Sequence, residues 1–93
     1  MKPHVLVRHK VEDFDSWKTG FDASAEMRQS QGAEKGHLFR NADNPDEVFI
    51  LLHWDDMDRA KAFTQSDELR EAMEKSGVTD RPDIYFLDEV EHF

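Results

Sequence analysis

The longest apolar run of the chain is EVFILLHW, residues 47–54. Apolar side chains occupy both its odd and its even positions, so both faces of the run are apolar. Eight residues are too few for a buried helix and are typical of an interior strand. At Asp55 the pattern changes to helical spacing, with acidic residues first and Ala60 and Phe63 behind them. A strand that is apolar on both faces needs cover on both sides.

The segment HVLVRHKV, residues 4–11, predicts the first strand. Its three valines and His9 share one face, while Leu6, Arg8 and Lys10 point the other way. One helix is predicted to follow, capped by Asp13 or Asp15 and running to about Ser30 before Gly32. Its apolar stripe consists of Phe14, Trp17, Phe21 and Ala25, with Gly20 indicating close packing.

A hairpin is predicted between residues 36–41, the second strand, and the central run. The polar residues 42–46 form its turn, and Pro45 cannot donate to the ladder. If the register is symmetric about the turn, residues of equal parity share a face. One face would then hold His37, Phe39, Phe49, Leu51 and His53, and the other Leu38, Arg40, Val48, Ile50, Leu52 and Trp54.

The remaining residues predict a second helix and a last strand. The helix begins near Asp56, weakens at 64–66 where Ser66 can recap it, and ends at Gly77. Residues 84–90 are the last strand. The order is therefore strand, helix, strand, strand, helix, strand, which predicts an α+β domain over residues 1–93. Its sheet is antiparallel in the order 4-1-3-2, with both helices on one face. The other face is left bare, and a second copy of the chain is the partner we expect there.

Composition narrows the classes of partner. The chain has 21 acidic and 12 basic residues and a formal net charge of −9, which argues against nucleic acid and against an anionic membrane. The absence of cysteine excludes disulfides, thiolate catalysis and cysteine-based zinc sites. The N-terminus lacks the pattern of a signal peptide, and no apolar run reaches the length of a membrane span. We therefore expect a cytoplasmic protein.

Four segments together resemble the antibiotic biosynthesis monooxygenase type of dimeric α/β barrel. They are HVLVRHKV, FDSWKTGFD, LFRNADNPDEVFILLHWDDMDRAKAFTQSDELREAME and DIYFLDEV, and they cover nearly the whole chain. The most telling part is the strand ending in Trp54, followed by Asp55 and Asp56 and the recapped helix. These features are structural rather than catalytic, so they specify the fold better than the activity.

The resemblance implies a ferredoxin-like βαββαβ protomer whose sheet pairs with that of a partner to close a dimeric barrel. Members of the group often hold a lipophilic pocket between sheet and helices. Their activities include cofactor-free oxygenation of aromatic polyketides, haem degradation, isomerisation or cyclisation, and no catalysis at all. Haem degradation would require a histidine on the second helix and an asparagine on the first strand. This chain has neither at 56–76 or 4–11.

Histidines are the main candidates for catalysis, because imidazole can act as a general base near neutral pH. His53 ends the central strand and His9 lies on the strand expected beside it, so the two are predicted to approach each other. His4 and His92, near the termini, are weaker candidates. The alternative for each histidine is a hydrogen-bonded or exposed position at a sheet end, without a role in catalysis.

Aromatic side chains are numerous, with seven Phe, two Trp and one Tyr. They predict a pocket for a flat hydrophobic ligand, with ordinary core and dimer interface as the alternative. No histidine spacing typical of a metal site and no Gly-rich phosphate loop occurs, so we expect neither metal nor cofactor. The residues predicted to bind a ligand are Trp54, Phe49, Tyr85, His37, Trp17 and Phe21.

Two hypotheses follow from this pattern. The first is a homodimeric, monooxygenase-like protein that binds a small lipophilic, aromatic molecule, with His53 or His9 as the base. The second is a non-catalytic homodimer of the same fold that binds a metabolite or serves a stress or regulatory role. A cavity of a few hundred Å³ holding a buried histidine would favour the enzyme. A filled space, with every histidine in solvent, would favour the second hypothesis.

Overall fold

All four predicted strands are present in the computed structural model, which describes residues 3–93, and each predicted helix is divided in two. The elements are β1 (Pro3–Lys10), α1 (Phe14–Ala23), α2 (Ala25–Gln31), β2 (Ala33–Asn41), β3 (Asn44–Trp54), α3 (Met57–Thr64), α4 (Asp67–Lys75) and β4 (Asp83–Asp88).

The four strands form one antiparallel sheet in the order β2-β3-β1-β4, which confirms the predicted order. The hairpin register is also confirmed, because Phe39 pairs with Phe49 and His37 with Leu51. Within the central pair, Val7 of β1 lies opposite Ile50 of β3. The odd positions of β1 therefore share a face with the even positions of β3.

The helices cover that face, and the core lies between them and the sheet. Trp17 from α1 and Ala60 and Phe63 from α3 pack on alternate residues of the two central strands. The buried apolar residues are Val5, Val7, Val11, Trp17, Ala33, Val48, Ile50, Leu52, Trp54, Ala60 and Phe63. Alternation along the strands therefore separates a helix-covered face from an open face.

The first helix differs from the prediction of one continuous helix, because it is interrupted at Ser24. The Ser24 hydroxyl donates to the Gly20 carbonyl at 3.0 Å, a local bond that commonly bends a helix. The second interruption is the predicted one. Ser66 accepts a hydrogen bond from the Leu69 amide at 3.2 Å and so caps α4.

The strand ends also differ from the predicted bounds. The turn is shorter than residues 42–46, because β3 already begins at Asn44, which pairs with Asn41. A register shift between Arg40 and Asn41 accommodates residues 45–47 of β3, which have no strand-pairing partner on β2. Pro45 is exposed. The last strand ends at Asp88 rather than at residue 90.

A group of charged residues joins β1, β3 and the segment before β4. Arg8 pairs with Glu47 at 2.6 Å and with Asp80 at 3.0 Å. Asn41 donates a second hydrogen bond to Glu47 at 2.7 Å, and the Lys10 amide donates to Asp80 at 2.6 Å. These contacts fix the chain that enters β4.

Candidate functional site

A cavity of about 70 Å³ lies between the helix-covered face of the sheet and the helices. Its walls are apolar, formed by strand residues such as Val5 and Ile50 and by the methionines 27 and 73. Four aromatic side chains complete the lining: Trp17, Phe21, Trp54 and Phe63. Because the cavity belongs to the core, the pattern that folds the sheet also builds it.

His9 brings an ionisable group into this apolar lining. It is 1% exposed, and its ring meets the Trp17 ring edge to face, with 5.6 Å between centroids. Burial away from water lowers the pKa of His9 below its ordinary value, because desolvation disfavours the imidazolium. His9 is therefore neutral at pH 7 and able to accept a proton.

Two residues that line the cavity each carry a buried side-chain nitrogen with no hydrogen-bond partner within residues 3–93. The two nitrogens are Nδ1 of His9 and Nε1 of Trp54, and Trp54 is 2% exposed. Leaving such atoms unpaired in a core costs about 1–3 kcal/mol each. Both residues line the same cavity. The cavity therefore combines an apolar lining with two unused polar groups.

Arg28 contributes a charge at the side of the cavity next to α2. Its guanidinium lies over the Phe21 ring, 3.7 Å from the centroid, and donates to the Phe21 carbonyl at 2.7 Å. Burial lowers the pKa of Arg28 from its ordinary value, with Asp22 acting in the opposite sense. Among residues 3–93 no carboxylate lies within ion-pair distance of Arg28, and Asp22 is held by Lys18 at 2.7 Å.

A surface groove of about 470 Å³ between the first helical pair and α4 adjoins the cavity. Gly20, Ser24 and Ser76 belong to both linings. A Cβ atom at Gly20 would lie 3.1 Å from the Ser76 Cβ, so the helices approach closely here, as the sequence indicated.

The structure brings together only part of the predicted site. Of the predicted site residues, His9, Trp17, Phe21 and Trp54 line the cavity. The prediction that His9 and His53 approach each other is wrong. His9 pairs with Val48 on the helix-covered face, whereas His53 lies on the open face opposite His4.

Three further predicted residues also lie on the open face, since they occupy strand positions of the opposite parity. Phe49 pairs with Arg8, and Tyr85 pairs with Leu6 and is 53% exposed. His37 is exposed, stacks near Phe39 and borders a separate depression next to α2. None of these three residues lines the cavity that contains His9.

The open face contains a histidine pair that the sequence did not indicate. Nε2 of His4 lies 2.7 Å from Nε2 of His53, and the ring centroids are 3.8 Å apart. His4 is 5% exposed although it stands near the N-terminus. The pair joins β1 to β3 on the side of the sheet away from the helices.

Residues 3–93 contain neither a metal-binding cluster nor a membrane-spanning helix. No group of three or more His, Asp or Glu side chains in that range is placed to hold a metal ion. Across the same residues, no helix is long and apolar enough to cross a membrane.

The size of the cavity and its histidine favour different hypotheses. The volume of 70 Å³ is below the few hundred Å³ expected of an enzyme pocket and favours the non-catalytic protein. The buried His9 in the lining favours the enzyme. Arg28 lies three residues after Ala25 and seven after Phe21, on the helical spacing of the predicted apolar stripe, and it is absent from that stripe because it is charged.

Comparison with known proteins identifies the family to which the chain belongs. A model of the family described as antibiotic biosynthesis monooxygenase matches residues 4–75. No curated protein matches the chain. A Bordetella bronchiseptica structure provisionally described as such a monooxygenase superposes with a TM-score of 0.82 at 14% identity, covering 97% of this chain and 98% of that one.

Two further solved structures share the fold. SnoaB, a cofactor-independent oxygenase from Streptomyces nogalater, has a TM-score of 0.72 at 14% identity, covering 96% of this chain and 95% of its own. A Caulobacter crescentus protein provisionally described as an antibiotic biosynthesis monooxygenase has a TM-score of 0.74 at 21% identity, covering 97% and 91%. At these identities the structures establish the fold alone. The family model spans well over half of the sequence, and the chain therefore belongs to the antibiotic biosynthesis monooxygenase family.

Proposed function

We propose that the protein binds a small aromatic molecule in the cavity between sheet and helices and oxygenates it without a cofactor. The observation that carries this proposal is the pair of buried atoms without partners, His9 Nδ1 and Trp54 Nε1, in the lining of one apolar cavity. An aromatic ring suits the indole and phenyl walls. A phenolic hydroxyl on that ring would supply both missing hydrogen bonds, because it can accept from the Trp54 N–H and donate to a neutral imidazole nitrogen, whereas a keto oxygen would accept from Trp54 alone.

The chemistry would begin with proton transfer to neutral His9. The substrate class is an aromatic compound with an acidic CH₂ group beside a ring carbonyl, because its anion is stabilised by delocalisation. The carbanion forms a C–O bond with dioxygen to give a peroxide anion; the remaining C–H proton then passes to the distal oxygen as the O–O bond breaks, which forms the C=O bond and releases hydroxide. Hydroxide takes the proton from His9. The balance is R₂CH₂ + O₂ → R₂C=O + H₂O, so the substrate supplies the electrons and the protein supplies a base and a dry site.

The family and its relatives support this reading of the cavity. SnoaB is described as a cofactor-independent oxygenase, and its fold matches over nearly the whole chain. Activity does not follow from fold, so His9 and Trp54 carry the argument for this protein.

We also propose that the protein is a homodimer paired through the open face. Phe39 and Tyr85 are 52% and 53% exposed on that face. Between them on the same face lie three further apolar side chains, Leu6, Phe49 and Leu51. An apolar area of this kind on a small domain is typical of an interface, and a second copy covers it with matching chemistry.

One observation favours binding without catalysis as the second candidate function. An engineered cavity that binds benzene measures about 150 Å³, and the cavity here is 70 Å³. Admitting even one ring requires the side chains of Met27 and Met73 to move. A small metabolite could be held with no reaction at all.

Binding and turnover are tested in sequence. Thermal-shift titration with 1-naphthol, a neutral phenol, should raise the melting temperature of the protein. Oxygen consumption with anthrone should then yield anthraquinone at one O₂ per molecule, with His9→Gln inactive and His53→Gln active. Binding without turnover supports the second candidate function, and no binding by any phenol overturns the cavity proposal.

A further inference from the structure

The feature that the proposed function leaves unused is Arg28, whose guanidinium borders the cavity without a carboxylate partner. Arg8, Arg59 and Arg70 each pair with an acidic side chain. The chain has 21 acidic residues, so acidic partners are abundant. Arg28 is a partly buried cation beside an apolar cavity, with no carboxylate of residues 3–93 within ion-pair distance.

The single side-chain hydrogen bond that Arg28 makes within residues 3–93 goes to the Phe21 carbonyl. A guanidinium carries five N–H donors in a planar fork that matches a carboxylate. The Phe21 ring packs against its face and leaves its edge for further hydrogen bonds. Because Arg28 lines the cavity, a ligand there can contact the guanidinium that also donates to the Phe21 carbonyl in the last turn of α1.

Resting on the proposed function, we infer that the cavity selects aromatic ligands that carry a carboxylate in addition to the ring oxygen, and that Arg28 binds this carboxylate. The ring would lie against Trp17 and Phe21. The anionic group would lie at the α2 side, away from the two unpaired atoms of His9 and Trp54. Charge-assisted hydrogen bonds in a partly desolvated site are stronger than neutral ones, so the neutral analogue would bind less tightly.

The inference has a competing explanation in which Arg28 is structural. Its hydrogen bond to the Phe21 carbonyl satisfies the end of α1 where the helix is interrupted at Ser24. Loss of that bond would loosen the helices and weaken every ligand alike. Discrimination between an acid and its ester separates the two roles, because only recognition of the anion depends on the charge of the ligand.

The test measures dissociation constants for 6-hydroxy-2-naphthoate, whose hydroxyl and carboxylate are at opposite ends of the ring system, and for its methyl ester, by tryptophan fluorescence. The intact chain should bind the acid at least tenfold more tightly than the ester. Arg28→Met should remove this preference by weakening the acid about tenfold while leaving the ester unchanged, and Arg28→Lys should retain part of it. Arg59→Met, which removes a surface ion pair, should behave as the unmodified chain does.

Each other outcome has a definite meaning. Equal binding of acid and ester by the intact chain overturns the inference and leaves the cavity proposal standing, and this comparison needs no variant. Equal weakening of both ligands by Arg28→Met shows a structural role and also overturns it. Failure of both ligands to bind the intact chain overturns the cavity proposal itself and the inference with it.

Discussion

The imidazole of His9 and the indole of Trp17 meet edge to face in the lining of the cavity, with 5.6 Å between ring centroids. This contact holds an ionisable ring against an apolar wall and keeps water away from it. The neutral imidazole that results suits a general base, and it also makes the stability of the fold sensitive to pH.

The stability of the protein should therefore fall between neutral and mildly acidic pH. The pKa of His9 is lowered in the folded state by desolvation, so the unfolded chain binds the proton more readily. The contribution is fully present above the ordinary pKa of about 6.5 and is lost as the pH falls from there through the lowered pKa. His9→Gln should lose less stability in this range, as measured by urea unfolding at pH 7.5 and 5.5.

The control His37→Gln changes an exposed ring and should keep the original pH dependence. Equal dependence of stability on pH in all three proteins would contradict the burial of His9.

A second loss of stability is expected at lower pH. The pKa of Glu47 is lowered by hydrogen bonds from Asn41 and Arg8, and that of Asp80 by the Lys10 amide and by Arg8. These contributions are present above the ordinary pKa values of the carboxyl groups and disappear as the pH falls through the lowered ones. Glu47→Gln should reduce the dependence of the urea midpoint on pH below about 5.

The control for Glu47 is Glu71→Gln, on the exposed surface of α4, which should leave that dependence unchanged. If Glu47→Gln matches the control, the charged group around Arg8 does not stabilise the strands it connects.

Enlarging the cavity should favour ligand binding at the expense of stability. Met73 lines the cavity, and Met73→Ala removes a flexible side chain from its wall. We expect a loss of about 2 kcal/mol in unfolding free energy together with several-fold tighter binding of 1-naphthol. Met57→Ala, outside the lining, should not tighten binding. Weaker binding by Met73→Ala would mean that the ring does not occupy this space.

Pairing through the open face should depend on Phe39, which is 52% exposed on β2. Light scattering coupled to size exclusion should give twice the chain mass for the unmodified protein. Phe39→Asp places a charge in the proposed interface and should give the mass of a single chain. Gln65→Asp, on the helix side, should remain a dimer. A single chain mass for the unmodified protein at micromolar concentration would refute the pairing.

The fold could be predicted because local pattern and short connections determine it. A register symmetric about residue 44 predicts the pairing of His37 with Leu51, and the register shift between Arg40 and Asn41 preserves this pairing although the turn itself is shorter than predicted. Alternation along the first strand placed His9 with the valines, as observed. Each of these predictions depends on neighbours within a strand or across a short turn.

The site could be predicted only in part, because it depends on pairing between distant segments. Nothing local determines whether the odd positions of β1 share a face with the odd or the even positions of β3. His9 and His53 were therefore expected together, although the sheet separates them. Arg28 is not among the predicted site residues because a charged side chain on a helix is ordinarily solvated, although its position continues the stripe of Phe21 and Ala25.

The most direct test of the cavity proposal is the indole N–H of Trp54, observed by ¹⁵N NMR during titration with 1-naphthol. The two tryptophans, Trp17 and Trp54, give two indole signals, and Trp54→Phe assigns them. We expect the Trp54 signal to move downfield on saturation, as its N–H gains a hydrogen bond, while amides of the open face such as Tyr85 stay in place. An unmoved Trp54 indole with shifts at Tyr85 and His53 would place the ligand on the other side of the sheet and contradict the proposal.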